Sequence, residues 1–209
     1  MSKIHPLEAA GDRGPAITCH PSGRLFYPLM PEEADVRLDD IVHALSHINR
    51  FNGHTSTPYS VAQHSYLVAS LMEDWILRGA QVSGGRALVK AALLHDAAEA
   101  YIGDISSPIK PFVTIAGHLA ERVEERILDV IFKALKVGFD SSNLWGMQLI
   151  KRFDNQALAL EAMSLKGIDP RDWGLELPAS PYVAHFYPLE PGPARRIFLA
   201  MWDRLNSGG

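Results

Sequence analysis

The stretch Leu93-Leu94-His95-Asp96-Ala97-Ala98-Glu99 places three polar side chains at the end of a nearly all-apolar segment. The apolar residues before it predict a buried, central helix from about Arg86 to Tyr101. A histidine and a carboxylate inside such a helix cost free energy unless a partner binds them. A divalent metal ion is the usual partner, so the rest of the chain should supply further ligands.

Two other predicted helices each carry one metal-competent side chain within an apolar stripe. Ser60 is placed to cap a helix from Val61 to about Leu77, which carries His64. A second helix, from Asn143 to about Leu165, carries Asp154 at the spacing of its core residues. Each polar residue alone has an ordinary explanation, such as a hydrogen-bonded core histidine, a local cap or a surface salt bridge. One divalent ion accounts for all of them together, with the ligands His64, His95, Asp96 and Asp154.

This ligand set contains two imidazoles and two carboxylates. It suits a borderline or hard divalent ion with positions left open for water and substrate, and it accepts Mn, Co, Fe, Ni or Zn. Cys19 is the only cysteine, which excludes a disulfide framework and a thiolate metal cluster. Glu99 shares a helix face with His95 and is either the group that deprotonates a metal-bound water or an ordinary surface glutamate. Asp104, directly after Gly103, either points across the site or forms a turn.

The composition is that of a globular protein, with 47% hydrophobic and 21% charged residues in 209 positions. We expect a single domain over residues 1–209. The net charge of -4 gives no reason to expect a nucleic-acid polymer or an anionic membrane as partner. Residues 1–14 lack a basic segment followed by an apolar core, and no apolar run approaches the roughly 20 residues that span a bilayer. We therefore expect a cytoplasmic protein.

The remaining pattern predicts an all-α fold with a small N-terminal β-hairpin. The hairpin covers about residues 16–27, around the turn His20-Pro21-Ser22-Gly23. Further helices are predicted from Leu38 to about Arg50 and from about Phe112 to Leu135. A Pro-rich loop and a last helix make up residues 170–206, and the apolar face of that helix fits either a homodimer or docking on its own domain.

Several motifs follow one known family in order and with similar spacing. They are Arg50-Phe51, Val61-Ala62-Gln63-His64-Ser65, His95-Asp96-Ala97-Ala98-Glu99, Gly103-Asp104, Pro108-Ile109-Lys110 and Asp154. Over about Ile41 to Leu165 the chain resembles the HD superfamily of metal-dependent phosphohydrolases, and most closely its 5'-deoxynucleotidase-like branch. It differs at Phe51, where the deoxynucleotidases carry a tryptophan, and in having Gly53-His54 in the loop that follows.

The resemblance implies an HD-domain helical bundle with core motifs at 41–165, which binds one divalent ion through His64, His95, Asp96 and Asp154. It assigns catalysis to Asp96 and Glu99, with Glu99 assisting the nucleophilic water. It also implies that Arg50 contacts the substrate phosphate, that Phe51 borders the pocket, and that Asp104 lies near the sugar hydroxyls. The expected substrate is a small phosphate ester.

The activity that we expect is hydrolysis of a nucleoside 5'-monophosphate, ribo or deoxy, to nucleoside and phosphate. Three alternatives stay open at this point. A nucleoside triphosphate hydrolase would need more positive charge than the motifs carry. A non-catalytic nucleotide-binding module would be expected to have lost a ligand or Glu99. A dinuclear iron oxygenase would need a second set of metal ligands, and the only further candidate ligands are His54 and His118.

Overall fold

The computed structural model describes residues 13–178 and 187–207, and most of them are helical. Within these ranges there are seven α-helices: α1 (Leu38–His47), α2 (Val61–Leu77), α3 (Gly85–Leu93), α4 (Glu99–Ile102), α5 (Ala120–Ala134), α6 (Leu144–Lys166) and α7 (Pro191–Ser207). Two short antiparallel hairpins pair β1 (Ile17–Thr18) with β2 (Leu25–Phe26), and β3 (Thr114–Ile115) with β4 (His118–Leu119). The predicted all-α class and the N-terminal hairpin are confirmed.

Helix α2 is the centre of the bundle, because it packs against α1, α3, α6 and α7. Its bounds agree with the prediction, and the Ser60 side chain caps it by accepting a hydrogen bond from the backbone N–H of Gln63 at 3.3 Å. Helix α6 begins in the same way, with Asn143 accepting from the N–H of Gly146 at 3.1 Å. Two capped helices that pack on each other therefore carry His64 and Asp154.

The predicted continuous helix from about Arg86 to Tyr101 is wrong, because the chain leaves the helix after Leu93 and re-enters it at Glu99. The ring of His95 contributes to this break, since its Nδ1 lies 2.8 Å from the carbonyl oxygen of Ala92 and competes for that acceptor. The next amides bond three residues back, as in the 2.9 Å bond from Ala97 to Leu94. This tight turn places His95 and Asp96 side by side at a helix junction.

The predicted helix from about Phe112 to Leu135 starts later than expected, at Ala120. A hairpin, β3–β4, occupies the preceding residues. Its two-residue turn consists of Ala116 and Gly117, with φ values of 51° and 82°. Two consecutive left-handed residues are typical of a type I′ turn, which reverses the chain and excludes a helix there.

Helix α1 also ends earlier than predicted, at His47 rather than about Arg50. The next residues leave the helix because the backbones of Ile48 and Arg50 form hydrogen bonds with the segment that precedes α2. The N–H of Arg50 donates to the carbonyl of Tyr59 at 2.8 Å, and the N–H of Val61 donates to Ile48 at 3.0 Å. Arg50 thus starts a short 3-10 turn, Arg50–Gly53, beside α2.

The last helix, α7, buries its apolar face against α1, α2 and α3. Phe198 and Ala194 are fully buried in this contact. This docking accounts for the apolar face without a second subunit, and the homodimer stays a prediction, as does the single domain. Residues 179–186 of the predicted C-terminal loop lie outside the described residues. No helix in the described ranges is both long enough and apolar enough to cross a membrane.

Candidate metal centre

The two predicted histidine ligands converge where α2 meets the turn between α3 and α4. Ligand atoms of His64, His95 and Asp96 all lie within 4.8 Å of one another. The Asp96 Oδ2 atom is 3.1 Å from His95 Nε2 and 3.4 Å from His64 Nε2. The Asp154 Oδ1 atom lies 3.2 Å from His64 Nε2, so the fourth predicted ligand reaches the site through His64 and is not part of the group of three mutually close residues.

The hydrogen bonds of the imidazole rings determine which ring nitrogens face the carboxylates of Asp96 and Asp154. His95 Nδ1 faces the carbonyl of Ala92 at 2.8 Å, and His64 Nδ1 faces the carboxylate of Glu161 at 2.6 Å. Both partners only accept hydrogen bonds here, so both Nδ1 atoms carry a proton. The Nε2 atoms are buried, and they face the carboxylate oxygens of Asp96 and Asp154 at distances of 3.1 to 3.4 Å. Two buried imidazole nitrogens facing carboxylate oxygens are the donors that a divalent cation takes.

The charges around the centre agree with this arrangement. Burial and Arg50 lower the pKa of His64, but the carboxylates of Glu161 and Asp154 outweigh them and raise it to about 9. Burial raises the pKa of Asp96 and Asp154, but the neighbouring histidines reverse the effect and hold both pKa values below the ordinary range. Both carboxylates are therefore ionised at neutral pH, and His64 must give up a proton when a metal binds.

Glu161 is the site residue that the sequence interpretation missed. Its side chain is completely buried, and its second oxygen, Oε2, lies 3.2 Å from both Nε and Nη2 of Arg50. Burial raises the pKa of Glu161, while Arg50 and His64 lower it below its ordinary value. A signal was present, because Glu161 follows Asp154 by seven residues and so lies on the same face of α6 within an apolar run.

Arg50 itself lies between the metal centre and Glu161. Its Nη1 atom is 3.5 Å from Asp96 Oδ2. Its guanidinium carbon is 5.4 Å from the ring centroid of Phe51, whose other neighbour is the Lys166 ammonium at 5.2 Å. Phe51 and Asn52 both have left-handed backbones, with φ values of 57° and 49°. Conformations of this kind in residues with side chains are uncommon and often mark functional loops.

Glu99 lies in the first turn of α4, next to the metal centre, and its side chain is nearly buried. Its Oε2 atom has no hydrogen-bond partner among the described residues. Burial, together with Asp96 and Asp104, raises the pKa of Glu99 well above that of an ordinary glutamate. Burial likewise raises the pKa of Asp104, although Arg50 opposes it. Both predicted carboxylates are therefore within electrostatic reach of the centre.

A cavity of about 280 Å³ opens beside His95, Asp96, Asp154 and Glu99, and the predicted substrate-binding residues Arg50, Phe51 and Asp104 do not line it. Its charged lining contains more carboxylates than ammonium groups: Asp96, Glu99, Glu121, Glu124, Glu125 and Asp154, against Lys110 and Lys151. Both lysines are held by acidic partners, Lys110 by Glu124 and Lys151 by Asp154, each at 2.6 Å. The two stray histidines lie elsewhere: His118 is exposed on β4, and the carbonyl of His54 accepts from Lys166 at 2.5 Å.

An all-α bundle with an adjacent His–Asp pair, a second histidine and a distant aspartate around one point defines the HD-domain class. The chain belongs to one family of that class: the family described as 5'-deoxynucleotidase YfbR-like matches residues 39–156, more than half of the chain. The uncharacterized protein YfdR of Escherichia coli is 32% identical over 187 residues, which cover 88% of this chain and 93% of that protein. The uncharacterized protein RCAP_rcc00048 of Rhodobacter capsulatus is 41% identical over 91 residues, 43% of this chain and 44% of the relative.

Proposed function

We propose that this protein is a divalent-metal-dependent phosphohydrolase that converts a nucleoside 5'-monophosphate, ribo or deoxy, to nucleoside and phosphate. The observation that carries the proposal is the pair of buried Nε2 atoms, on His64 and His95, facing the carboxylates of Asp96 and Asp154. The family description supports the substrate class, because it names a 5'-deoxynucleotidase.

The residues that would hold the ion are His64, His95, Asp96 and Asp154. A bound divalent ion of this kind lowers the pKa of a water ligand and neutralises charge on a phosphate oxygen. Mn, Co, Fe, Ni and Zn all match the mixture of imidazole and carboxylate donors.

Glu99 is the group that we assign to the water proton. Hydrolysis forms a bond from the water oxygen to phosphorus and breaks the bond from phosphorus to the nucleoside 5' oxygen. One water proton passes to Glu99, which then returns it to the leaving 5' oxygen, while the other water proton stays on the phosphate. The raised pKa of Glu99 makes its carboxylate a stronger base than an ordinary glutamate.

Arg50 is the residue that we assign to the substrate phosphate. Its guanidinium is anchored to Glu161 through Nε and Nη2, and Nη1 lies on the side of Asp96. A planar guanidinium fixed in this way matches the spacing of phosphate oxygens. Phe51 packs on that guanidinium, and we assign it to the border of the pocket and Asp104 to the sugar hydroxyls.

The charge of the cavity favours a monophosphate over the triphosphate alternative. Apart from the proposed ligands Asp96 and Asp154, four glutamates and two lysines line it, and each additional phosphate would add negative charge beside this acidic wall. The non-catalytic alternative has no support in the site, since all four ligand residues and Glu99 are present and lie close together. The absence of polymer and membrane partners, the homodimer and the cytoplasmic location stay predictions.

The test is phosphate release from a panel of nucleoside mono- and triphosphates, each with Mn²⁺ or Co²⁺. We expect release from monophosphates by the wild-type protein and a large loss in Asp96→Asn and in Glu99→Gln. Asp172→Asn, which neutralises an exposed carboxylate outside the cavity lining, serves as the control and should keep the wild-type rate. Full activity in both site variants, or no release from any monophosphate, would overturn the proposal.

A further inference from the structure

The Glu161 side chain contacts both His64 and Arg50, and neither contact is needed to form helix α6. It is a fully buried carboxylate in the C-terminal third of α6, and each of its oxygens contacts a different functional side chain, while the buried Tyr59 hydroxyl also interacts with it. Oε1 reaches the predicted metal ligand His64, and Oε2 reaches the predicted phosphate-binding residue Arg50. A buried carboxylate is costly unless its partners satisfy it, and His64, Arg50 and Tyr59 together supply those partners.

We propose that Glu161 is a positioning residue that orients His64 for the metal ion and Arg50 for the substrate phosphate. The inference rests on the proposed metal site and extends it to a residue that touches neither the ion nor the substrate. Its central prediction is that one carboxylate controls two separate binding properties.

The contact with His64 determines which ring nitrogen is available. The carboxylate can only accept, so the 2.6 Å contact keeps a proton on Nδ1, and the proton that His64 loses when the ion binds comes from Nε2. Without this acceptor, a neutral His64 can move its proton to Nε2, the atom that faces Asp96 and Asp154. Partners of metal-binding histidines of this type typically contribute 10–100-fold to metal affinity.

The contact with Arg50 determines the direction of the guanidinium. Glu161 Oε2 holds Nε and Nη2, both at 3.2 Å, along one edge of the planar group. The remaining nitrogen, Nη1, then lies toward Asp96. The backbone of Arg50 belongs to an irregular turn followed by two left-handed residues, so the anchor on the regular helix α6 restrains the side chain.

The experiment compares Glu161→Gln with Asp40→Asn. Asp40 is a matched control, because it is also a buried carboxylate with two contacts, to the N–H and Oγ of Ser22 at 2.9 and 2.5 Å, outside the metal centre. Zn²⁺ binding is measured by calorimetry, binding of inorganic phosphate to the Zn²⁺-loaded protein is measured in the same way, and the His64 ring is observed by ¹⁵N NMR. We expect Glu161→Gln to weaken Zn²⁺ binding by about 10–100-fold and to weaken phosphate binding, while Asp40→Asn changes neither.

Zn²⁺-loaded wild-type protein tests the tautomer without any substitution. We expect a slowly exchanging proton on His64 Nδ1, and a proton-free Nδ1 would overturn the proposal even if the variants did not fold. Glu161→Asp keeps the charge but is one methylene shorter, so it should fail to reach both partners and weaken at least one of the two affinities. Unchanged affinities in both variants would also overturn the proposal. These measurements do not require turnover of a substrate. A protein without phosphatase activity would therefore contradict the proposed function, whereas the role of Glu161 would still be decided by the binding and NMR measurements.

Discussion

Replacing Glu99 with glutamine tests the role of Glu99 as the general base independently of metal binding. The side chain is 6% exposed, and glutamine has nearly the same shape, so the substitution creates no cavity. Removing a general base typically lowers the rate by about 10²–10⁴, which corresponds to about 3–5 kcal/mol of activation free energy. We expect this loss in kcat of phosphate release from a nucleoside 5'-monophosphate, with metal affinity retained.

The stability of the same variant provides an independent control. Burial, Asp96 and Asp104 raise the pKa of Glu99 in the folded, metal-free protein. A raised folded-state pKa stabilises the protein below the unfolded pKa, and that stabilisation is lost as the pH rises through the folded pKa. The Tm of Glu99→Gln relative to wild type should therefore increase between pH 5 and pH 8. A variant that keeps more than a tenth of the wild-type kcat would refute Glu99 as the base.

Three further outcomes follow from the structure. Metal affinity should rise by about tenfold per pH unit from pH 6 to 8, because His64 has a pKa of about 9 and its imidazolium must lose one proton before the metal binds. A Mn²⁺ affinity that calorimetry found to be independent of pH would contradict this prediction. Phe198→Ala removes a fully buried ring between α7 and the bundle, and urea unfolding should show a loss of about 3–5 kcal/mol, whereas a loss below about 1 kcal/mol would mean that α7 is not docked. Burial raises the pKa of the Cys19 thiol from 9.0 to about 11. The thiol should therefore contribute to the free energy of unfolding below pH 9, and this contribution should be lost as the pH rises toward 11. Unfolding measured as a function of pH should show this loss in the wild-type protein and not in Cys19→Ser.

The parts of the fold that were predictable from sequence carry their own local signals. Helix α2 starts at a serine cap, and α6 starts at an asparagine cap and ends at Gly167 in a left-handed conformation. In both helices the apolar stripe and the capping residue agree, and the predicted bounds match the structure to within a residue or two. These two helices place His64 and Asp154.

The errors occurred where a side chain or a turn competes with helix formation. The break after Leu93 depends on the His95 ring taking a backbone acceptor, which helical periodicity does not reveal. The β3–β4 turn uses Ala116-Gly117, a weaker hairpin signal than Asn-Gly. Glu161 could have been found, since its spacing from Asp154 was visible, but its contacts with Arg50 and His64 depend on packing between α6, α2 and the loop after α1.

The most direct test of the account is the phosphate-release rate of metal-stripped protein during titration with Mn²⁺, using a nucleoside 5'-monophosphate as substrate. If His64, His95, Asp96 and Asp154 form one catalytic site, the rate should rise in proportion to the first equivalent of Mn²⁺ bound per chain and then level off. A full rate in the stripped protein, or no rate once that equivalent is bound, would contradict the account.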